Sequence, residues 1–262
     1  MKDAIKSFVK TQPRLFDFLV AVRLFLHSGR DNTFKFFDAF SKAHHRRVTV
    51  AQIGASDGLR WDPVRPFIVR DKWDGILIEP LPGVFDLLKS NYKYLESKSK
   101  LIFVNAAVSA SGPQALSFWT FSQSFLEKLP LEEQLDYSRK SSINKEHVLR
   151  WARTNDRPED VLTEIKVPCL TLNEIIDTYW KGPPVNLVVI DAEGHDACII
   201  KSINFMAMRP EAVFFENHNL GEQKAEVYNL LTQNGYGVTE IGGDSVALDK
   251  SITQSGRLQI GW

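Results

Sequence analysis

Cysteine is scarce in this chain: there are two, Cys169 and Cys198, each inside an apolar stretch. They read as buried free thiols, they build neither a disulfide framework nor a cysteine-spaced metal site, and a reducing cytoplasmic setting fits them best. An excess of charge is missing too, because 32 Lys and Arg balance 32 Asp and Glu. That removes the electrostatic ground for broad binding to nucleic acid, and no nucleic-acid partner is expected. The short run His44-His45-Arg46-Arg47 reads as a solvated turn before a strand. Long hydrophobic runs are absent. The most apolar stretch, residues 15–26, is interrupted by Asp17 and Arg23 and is too short to cross a bilayer, so no transmembrane segment is expected. It reads as an amphipathic or buried helix, with a membrane-surface or homo-oligomer contact as the alternative. No signal-peptide pattern follows Met1-Lys2-Asp3, and there is no internal repeat or low-complexity segment.

What is present suits one α/β domain with decorations: 262 residues, 44% hydrophobic and 24% charged. Residues 4–45 read as helical with a break near Ser28-Gly29-Arg30-Asp31, and Phe34, Phe37 and Phe40 recur at three-residue steps on one buried face. This gives an N-terminal helical extension over 1–46 and a catalytic-type domain over 47–262. Within the latter, apolar runs at 48–53, 76–78, 101–104, 185–190 and 212–215 are nearly continuous, as strands buried on both faces of a parallel sheet are. Helical patterns at 82–94, 172–180, 196–208 and 221–234 lie between them, and the alternation predicts an open, doubly wound Rossmann-like sheet. The segments 238–241 and 246–248, separated by Gly242-Gly243-Asp244-Ser245, predict a C-terminal antiparallel hairpin. Residues 122–160 break the alternation. They form a polar, helix-leaning insert, either a lid or a passive excursion, whose flanks Leu116-Ser117-Phe118-Trp119 and Ile165-Lys166-Val167 can pair as an added antiparallel ribbon.

Ligands of open α/β sheets bind beyond the carboxyl ends of the strands, and here those ends gather polar groups. They are Gly54-Ala55-Ser56-Asp57-Gly58, Glu79-Pro80, Asn105, Asp191-Ala192-Glu193-Gly194-His195 and Glu216-Asn217-His218. Gly54 and Gly58 allow a tight turn against which a ligand can lie. Glu79 follows Gly54 by 25 residues, near the roughly 20 expected of an acid that holds a ribose. A carboxylate accepts both ribose hydroxyls. The second glycine of a G-x-G-x-x-G pyrophosphate turn is replaced by Ser56, and Asp57 adds negative charge there. That charge favours the cationic S-adenosylmethionine over a nicotinamide dinucleotide.

Five blocks in order then resemble the successive signatures of FkbM-type methyltransferases: Val50-Ala51-Gln52-Ile53-Gly54-Ala55-Ser56-Asp57-Gly58, Gly75 to Pro82 through Glu79-Pro80, Asn105-Ala106-Ala107-Val108-Ser109, Val167 to Leu172, and Val189-Ile190-Asp191-Ala192-Glu193-Gly194-His195-Asp196. The resemblance covers residues 48–219 and implies a class I methyltransferase fold with S-adenosyl-L-methionine as donor. It implies cofactor contacts at Gln52, Gly54, Ala55, Asp57, Gly58, Glu79, Pro80, Asn105 and Ala106, with Asp191 near the sulfonium. It also implies O-methylation of a small-molecule or glycan acceptor with a hydroxyl. The catalytic candidates are Asp191, Glu193 and His195. A histidine opening the helix after the fourth strand is a suitable base, with His218 second. A divalent metal on Asp191, Glu193 and His195 is a less favoured alternative. Trp119, Phe121, Trp151 and Trp180 are either sugar platforms or local core. An oxidoreductase and a non-catalytic nucleoside-binding module are the rival classes.

Overall fold

The computed structural model describes residues 12–27, 31–110, 115–138, 140–157, 161–258 and 260. The helix expected over residues 4–11 and the break expected at 28–30 lie outside them. Two N-terminal helices are described, α1 (Pro13–His27) and α2 (Asn32–Ala43), and the Asp31 side chain caps α2 by accepting from the Phe34 amide. Then come β1 (Thr49–Ile53), α3 (Arg65–Asp71), β2 (Asp74–Ile78), α4 (Pro82–Tyr92), β3 (Leu101–Val104) and the short β4 (Ala107–Val108). The ribbon and insert follow: β5 (Ala115–Phe121), α5 (Gln123–Leu126), α6 (Leu131–Ser138), α7 (Lys145–Thr154) and β6 (Leu162–Leu170). The chain closes with α8 (Leu172–Tyr179), β7 (Leu187–Ile190), α9 (Asp196–Ser202), β8 (Ala212–Glu216), α10 (Lys224–Gln233), β9 (Tyr236–Ile241), β10 (Asp244–Asp249) and α11 (Lys250–Gln254).

Among the described residues the main sheet has seven strands in the order β3-β2-β1-β7-β8-β10-β9. The first five are parallel, and β10 runs antiparallel to both β8 and β9. The chain leaves β1 towards β2 and β3, then returns to pair β7 on the other side of β1. That reversal is the topological switch point, where the strand tips part to leave a crevice.

The burial pattern explains the apolar runs. On β1, Val50 packs to one face with Leu77, Leu187, Val189 and Phe214, while Ala51 and Ile53 pack to the other with Ile76, Ile78, Val188 and Ile190. The first face is covered by α2, α3 and α4, and the second by α8, α9 and α10. Phe36, Phe37 and Phe40 of α2 are fully buried against this sheet, Phe36 and Phe37 touching Phe214. Phe34, expected on that face, is half-buried against Phe67.

The predicted ribbon is present as β5 paired antiparallel with β6, and β6 also runs parallel to β4, a pairing of two residues that left no periodic trace. The helix expected over 196–208 stops at Ser202. Ile203 is extended, and the Asn204 side chain instead accepts from the Met206 and Ala207 amides in a tight turn. The terminal hairpin turns on Gly242-Gly243, two residues shorter than expected. Among the described residues no helix is long and apolar enough to cross a membrane.

Candidate active site

The turn after β1 is a closed hydrogen-bonded unit. The Gly54 and Ala55 amides both donate to the Ile78 carbonyl, the Ser56 amide to Glu79 Oε2, and the Gly58 amide to the Ala55 carbonyl. The Leu59 and Arg60 amides donate to Asp57 Oδ1. Six of the seven amides from Gly54 to Arg60 are thereby engaged inside the turn, which leaves little of the donor cradle a pyrophosphate needs, and no helix starts until Arg65. Gly54 has φ +76°, and a Cβ there would lie 1.8 Å from the Asp191 carbonyl oxygen. The glycine lets the β1 and β7 tips approach each other. Gly58, at φ +60°, is fixed by packing, since its Cβ would stand 2.4 Å from Leu88 and 2.5 Å from Tyr92.

Glu79 ends β2 with both carboxylate oxygens engaged, Oε2 by the Ser56 amide at 3.0 Å and Oε1 by the Leu81 amide at 2.9 Å. Each oxygen keeps a lone pair for a further donor. Burial pushes this acid up to about 7 against the two amide hydrogen bonds, with the charges of Asp191 and Asp57 adding to the rise. Beside it lies a cleft of about 780 Å³ including its open mouth. Pro80, Leu81, Val84, Ala106 and Val108 give it an apolar wall. Asn105 braces that wall, its amide donating to the Glu79 and Pro80 carbonyls.

On the far wall stand Asp191, Ala192, Glu193 and His195 from the β7 tip. Asp196, the first residue of the following helix, accepts at 3.3 Å from the Ala192 and Gly194 amides and ties down the loop ahead of it, while His195 holds the N-cap position with no capping hydrogen bond from its side chain. His195 Nε2 lies 3.2 Å from Ser109 Oγ, which in turn lies 3.7 Å from Cys198 Sγ. Burial lowers the His195 pKa, which keeps the imidazole neutral. Around Asp191 the carboxyls of Asp196, Glu216 and Asp244 are pushed up to about 8, 7 and 6, in each case first by burial and then by neighbouring acids that include Asp191. The rim at this end is thus rich in carboxyls that would ionise more readily beside a positive ligand.

The insert closes the third side. Ser138, Ser141 and Ile143 line the cleft beside Leu116 and Phe118 of β5. Ser142 bridges to Trp119, Ser141 Oγ donates to Thr120 Oγ1 at 2.7 Å, and Lys140 Nζ stands 3.5 Å from Glu193 Oε1. The insert therefore borders the site and contributes side chains to it.

The sequence model of the methyltransferase FkbM domain matches residues 52–238, well over half of the chain. The chain belongs to the FkbM methyltransferase family. No curated protein matches it. Among solved structures it is similar to an FkbM methyltransferase from Methylobacillus flagellatus KT, at 11% identity and TM-score 0.45 over 77% of this chain and 43% of the other. The chain thus spans less than half the length of that relative. An O-methyltransferase from Bacillus cereus in complex with SAH is similar at 11% identity and TM-score 0.44, over 82% and 79%. Fibrillarin from Aeropyrum pernix with natively bound S-adenosyl-L-methionine is similar at 8% identity and TM-score 0.35, over 77% and 65%.

Set against this FkbM methyltransferase frame, the sequence-predicted residues divide. Gly54, Glu79, Pro80, Ala106, Asp191, Glu193 and His195 meet in the cleft. Gln52, Ala55, Asp57, Gly58 and Asn105 do not line it. Asp57 needs a correction of reasoning: it is buried and ion-paired to Arg60 at 2.5 Å, so its charge already has a cation beside it and is no ground for selecting a cationic ligand. Gln52 donates to Asp62 at 3.1 Å, and its Oε1 is buried with no hydrogen-bond partner among the described residues. Glu193 turns to Lys140 and His195 to Ser109. Among the described residues no group of three or more His, Cys, Asp or Glu side chains is placed to hold a metal. His218 is exposed and pairs with Glu216 at 3.2 Å.

The aromatic platforms turn out differently from one another. Phe121 and Trp151 pack edge-on with each other and with Tyr137 in the core of the insert, Trp180 is buried with Nε1 donating to the Pro183 carbonyl, and Trp119 lies under Lys145. Phe118, read in the sequence as part of a ribbon strand and not as a site residue, lines the cleft. Ser109 was also overlooked in its role. It sits in a quoted block, but its pairing with His195 spans 86 residues of sequence and leaves no local signal.

Proposed function

We propose that the protein is an S-adenosyl-L-methionine-dependent O-methyltransferase acting on a hydroxyl of a small-molecule or glycan acceptor. The observation that carries this is the pairing of Glu79 with a turn in which six of seven amides are already engaged. Such a site offers an acid for ribose hydroxyls and little cradle for a pyrophosphate, which favours an adenosyl ligand over a dinucleotide. The donor set fits: two remaining lone pairs on Glu79, an apolar wall from Pro80 to Val108 for adenine, and the carboxyl-rich Asp191 rim for a positive centre.

When bound, the cofactor supplies an activated methyl group on a sulfonium, so the protein's work is to align the acceptor oxygen and take up its proton. The neutral imidazole of His195 suits that uptake. With Nε2–H donating to Ser109 Oγ, the lone pair lies on Nδ1, and the acceptor hydroxyl proton moves there. Phe118, Leu116 and Ile143 give the acceptor side apolar walls, and Ser138 and Ser141 supply hydroxyls beside them.

Titration calorimetry with S-adenosylmethionine, its demethylated product and NAD tests the cofactor; heat with NAD and none with the adenosyl pair would sink the reading. A screen of hydroxylated acceptors with labelled donor, followed by mass spectrometry of products, tests the chemistry. Methyl found on nitrogen or carbon would remove the O-specific part.

A further inference from the structure

Three large apolar side chains are left out of the fold's own cores. Leu116 and Phe118 of β5 and Ile143 of the insert belong to none of the three apolar clusters formed by the described residues. They are only partly buried, and all three line the cleft. Strand alternation explains the first two. Leu116 and Phe118 share one face of the ribbon, while Ser117 between them takes the other face with its register partner Lys166, whose Nζ donates to it. Ile143 is brought beside them by the bridge between Ser142 and Trp119. The insert that carries it has a small core of its own, made of Phe121, Leu126, Tyr137 and Val148. Ser142 Oγ donates to the Glu193 carbonyl at 3.5 Å, and Lys140 Nζ stands 3.5 Å from Glu193 Oε1. This wall therefore stands at the β7 tip, where an acceptor has to meet the methyl group.

The polar groups of the same wall narrow the chemistry. Ser138 Oγ donates to the Gln134 carbonyl at 2.8 Å, and Ser141 Oγ donates to Thr120 Oγ1 at 2.7 Å. Their hydrogens are committed inside the insert, and only lone pairs are left for a ligand. Asp191 and Glu193 at the β7 tip also accept, His195 gives its hydrogen to Ser109 in the tautomer that leaves Nδ1 free, and Lys140 is turned to Glu193. The described side chains of this wall are thus apolar or hydrogen-bond acceptors. One acceptor hydroxyl can donate to such a wall. A sugar brings several hydroxyls that both donate and accept, and its lone pairs would be buried here without side-chain donors, at a cost for each. A hydrocarbon ring asks for no donor and gains by covering Leu116, Phe118 and Ile143.

We propose that the acceptor is a hydroxyl borne by an apolar ring system, not by a free sugar, and that Phe118 and Ile143 are the residues that select it. This rests on the O-methyltransferase reading and narrows its acceptor. The test offers the full chain labelled S-adenosylmethionine with two panels, alkyl-substituted phenols and cyclohexanols against methyl glycosides of hexoses. kcat/KM should be higher for the first panel by roughly tenfold to a hundredfold. Phe118→Ser and Ile143→Ser should each lower it by about tenfold, chiefly through KM, while donor affinity in calorimetry stays at the wild-type value. Phe118→Leu, which keeps an apolar side chain, should retain most of the rate. Equal or faster transfer to the glycosides, transfer to neither panel with the donor bound, or serine variants that match the wild type overturn the proposal and leave the methyltransferase reading standing. Failure of the wild-type chain to bind the donor strikes that reading itself, and the acceptor assignment falls with it.

Discussion

Glu79 is a buried acid at the end of a buried strand, and its titration has two consequences of opposite sign. Its folded-state pKa of about 7 stands above its ordinary 4.5. Between those values the folded chain holds a proton that the unfolded chain releases, so this group's contribution to stability falls as pH rises from about 4.5 to about 7. Asp196 and Glu216, raised to about 8 and 7, act with the same sign over similar windows. Adenosyl-ligand affinity should run the other way, because only the ionised carboxylate accepts from both ribose hydroxyls. Calorimetry across pH 5 to 9 should show affinity rising through about 7 and levelling above it. Glu79→Gln should flatten that profile and weaken binding by roughly tenfold to a hundredfold, the loss of one charged acceptor site. A slope unchanged in the variant would remove Glu79 from ribose recognition. At His195 the expectation concerns turnover: His195→Ala should lower kcat by roughly 10²-fold or more with little change in cofactor affinity. Ser109→Ala should shift the acid limb of the kcat profile while leaving KM for the donor alone. Wild-type turnover in His195→Ala would leave the imidazole without a catalytic role.

At the scale of the element, the glycine turn after β1 is held from outside as much as from within. Arg65 of α3 donates to the Gly58 carbonyl at 2.6 Å and to the Asn91 carbonyl at 3.0 Å, and its guanidinium lies over the Tyr92 ring. Asn91 of α4 in turn donates to the Asp57 carbonyl at 2.9 Å. Asp17 neutralises Arg65 from α1, so a helix outside the sheet braces the turn that faces the cleft. Removing the carboxylate in Asp17→Ala strands a buried guanidinium and should cost about 3–5 kcal/mol in denaturant unfolding, with weaker adenosyl-ligand binding. The double replacement Asp17→Leu/Arg65→Met should recover part of that stability and none of the binding. A loss below about 1 kcal/mol would show the pair to be effectively solvated. None of this network was legible in the sequence. Apart from Arg65 to Gly58, seven positions apart, its hydrogen bonds join residues 26 to 48 positions apart and depend on side chains with no periodic pattern. The strands were legible because both faces of each are buried, and the strand-tip acids because they interrupt apolar runs. Asp57 misled for a related reason: sequence shows a charge and does not show its pairing with Arg60.

For the whole molecule, the question is whether the N-terminal helices are an appendage or part of the folding unit. Read from sequence, residues 1–46 stand apart because the apolar period changes from helical to strand-like at Arg47. Packing cuts across that boundary. Phe37 of α2 touches Phe36, Phe67, Trp73 and Phe214, the last on β8 at the other half of the sheet. Three fully buried phenylalanines on α2 contribute roughly 1.5–3 kcal/mol each by burial alone, comparable with the net stability of an ordinary domain. The helix is therefore the cover over β1 and β8, and without it one face of the sheet would lie open. Phe37→Ala should lower the unfolding free energy by about 3–5 kcal/mol, and heat or denaturant should melt near-ultraviolet and far-ultraviolet signals in one transition. Two separated transitions, or a cost under about 1 kcal/mol, would mean that the sheet keeps its core without α2. The same coupling carries to function, because α1 braces the turn beneath the cleft while α2 seals the sheet that presents it. Loss of α2 packing should then weaken adenosyl-ligand binding in proportion to the fraction unfolded, whereas loss of the Asp17 contact should weaken it in molecules that remain folded.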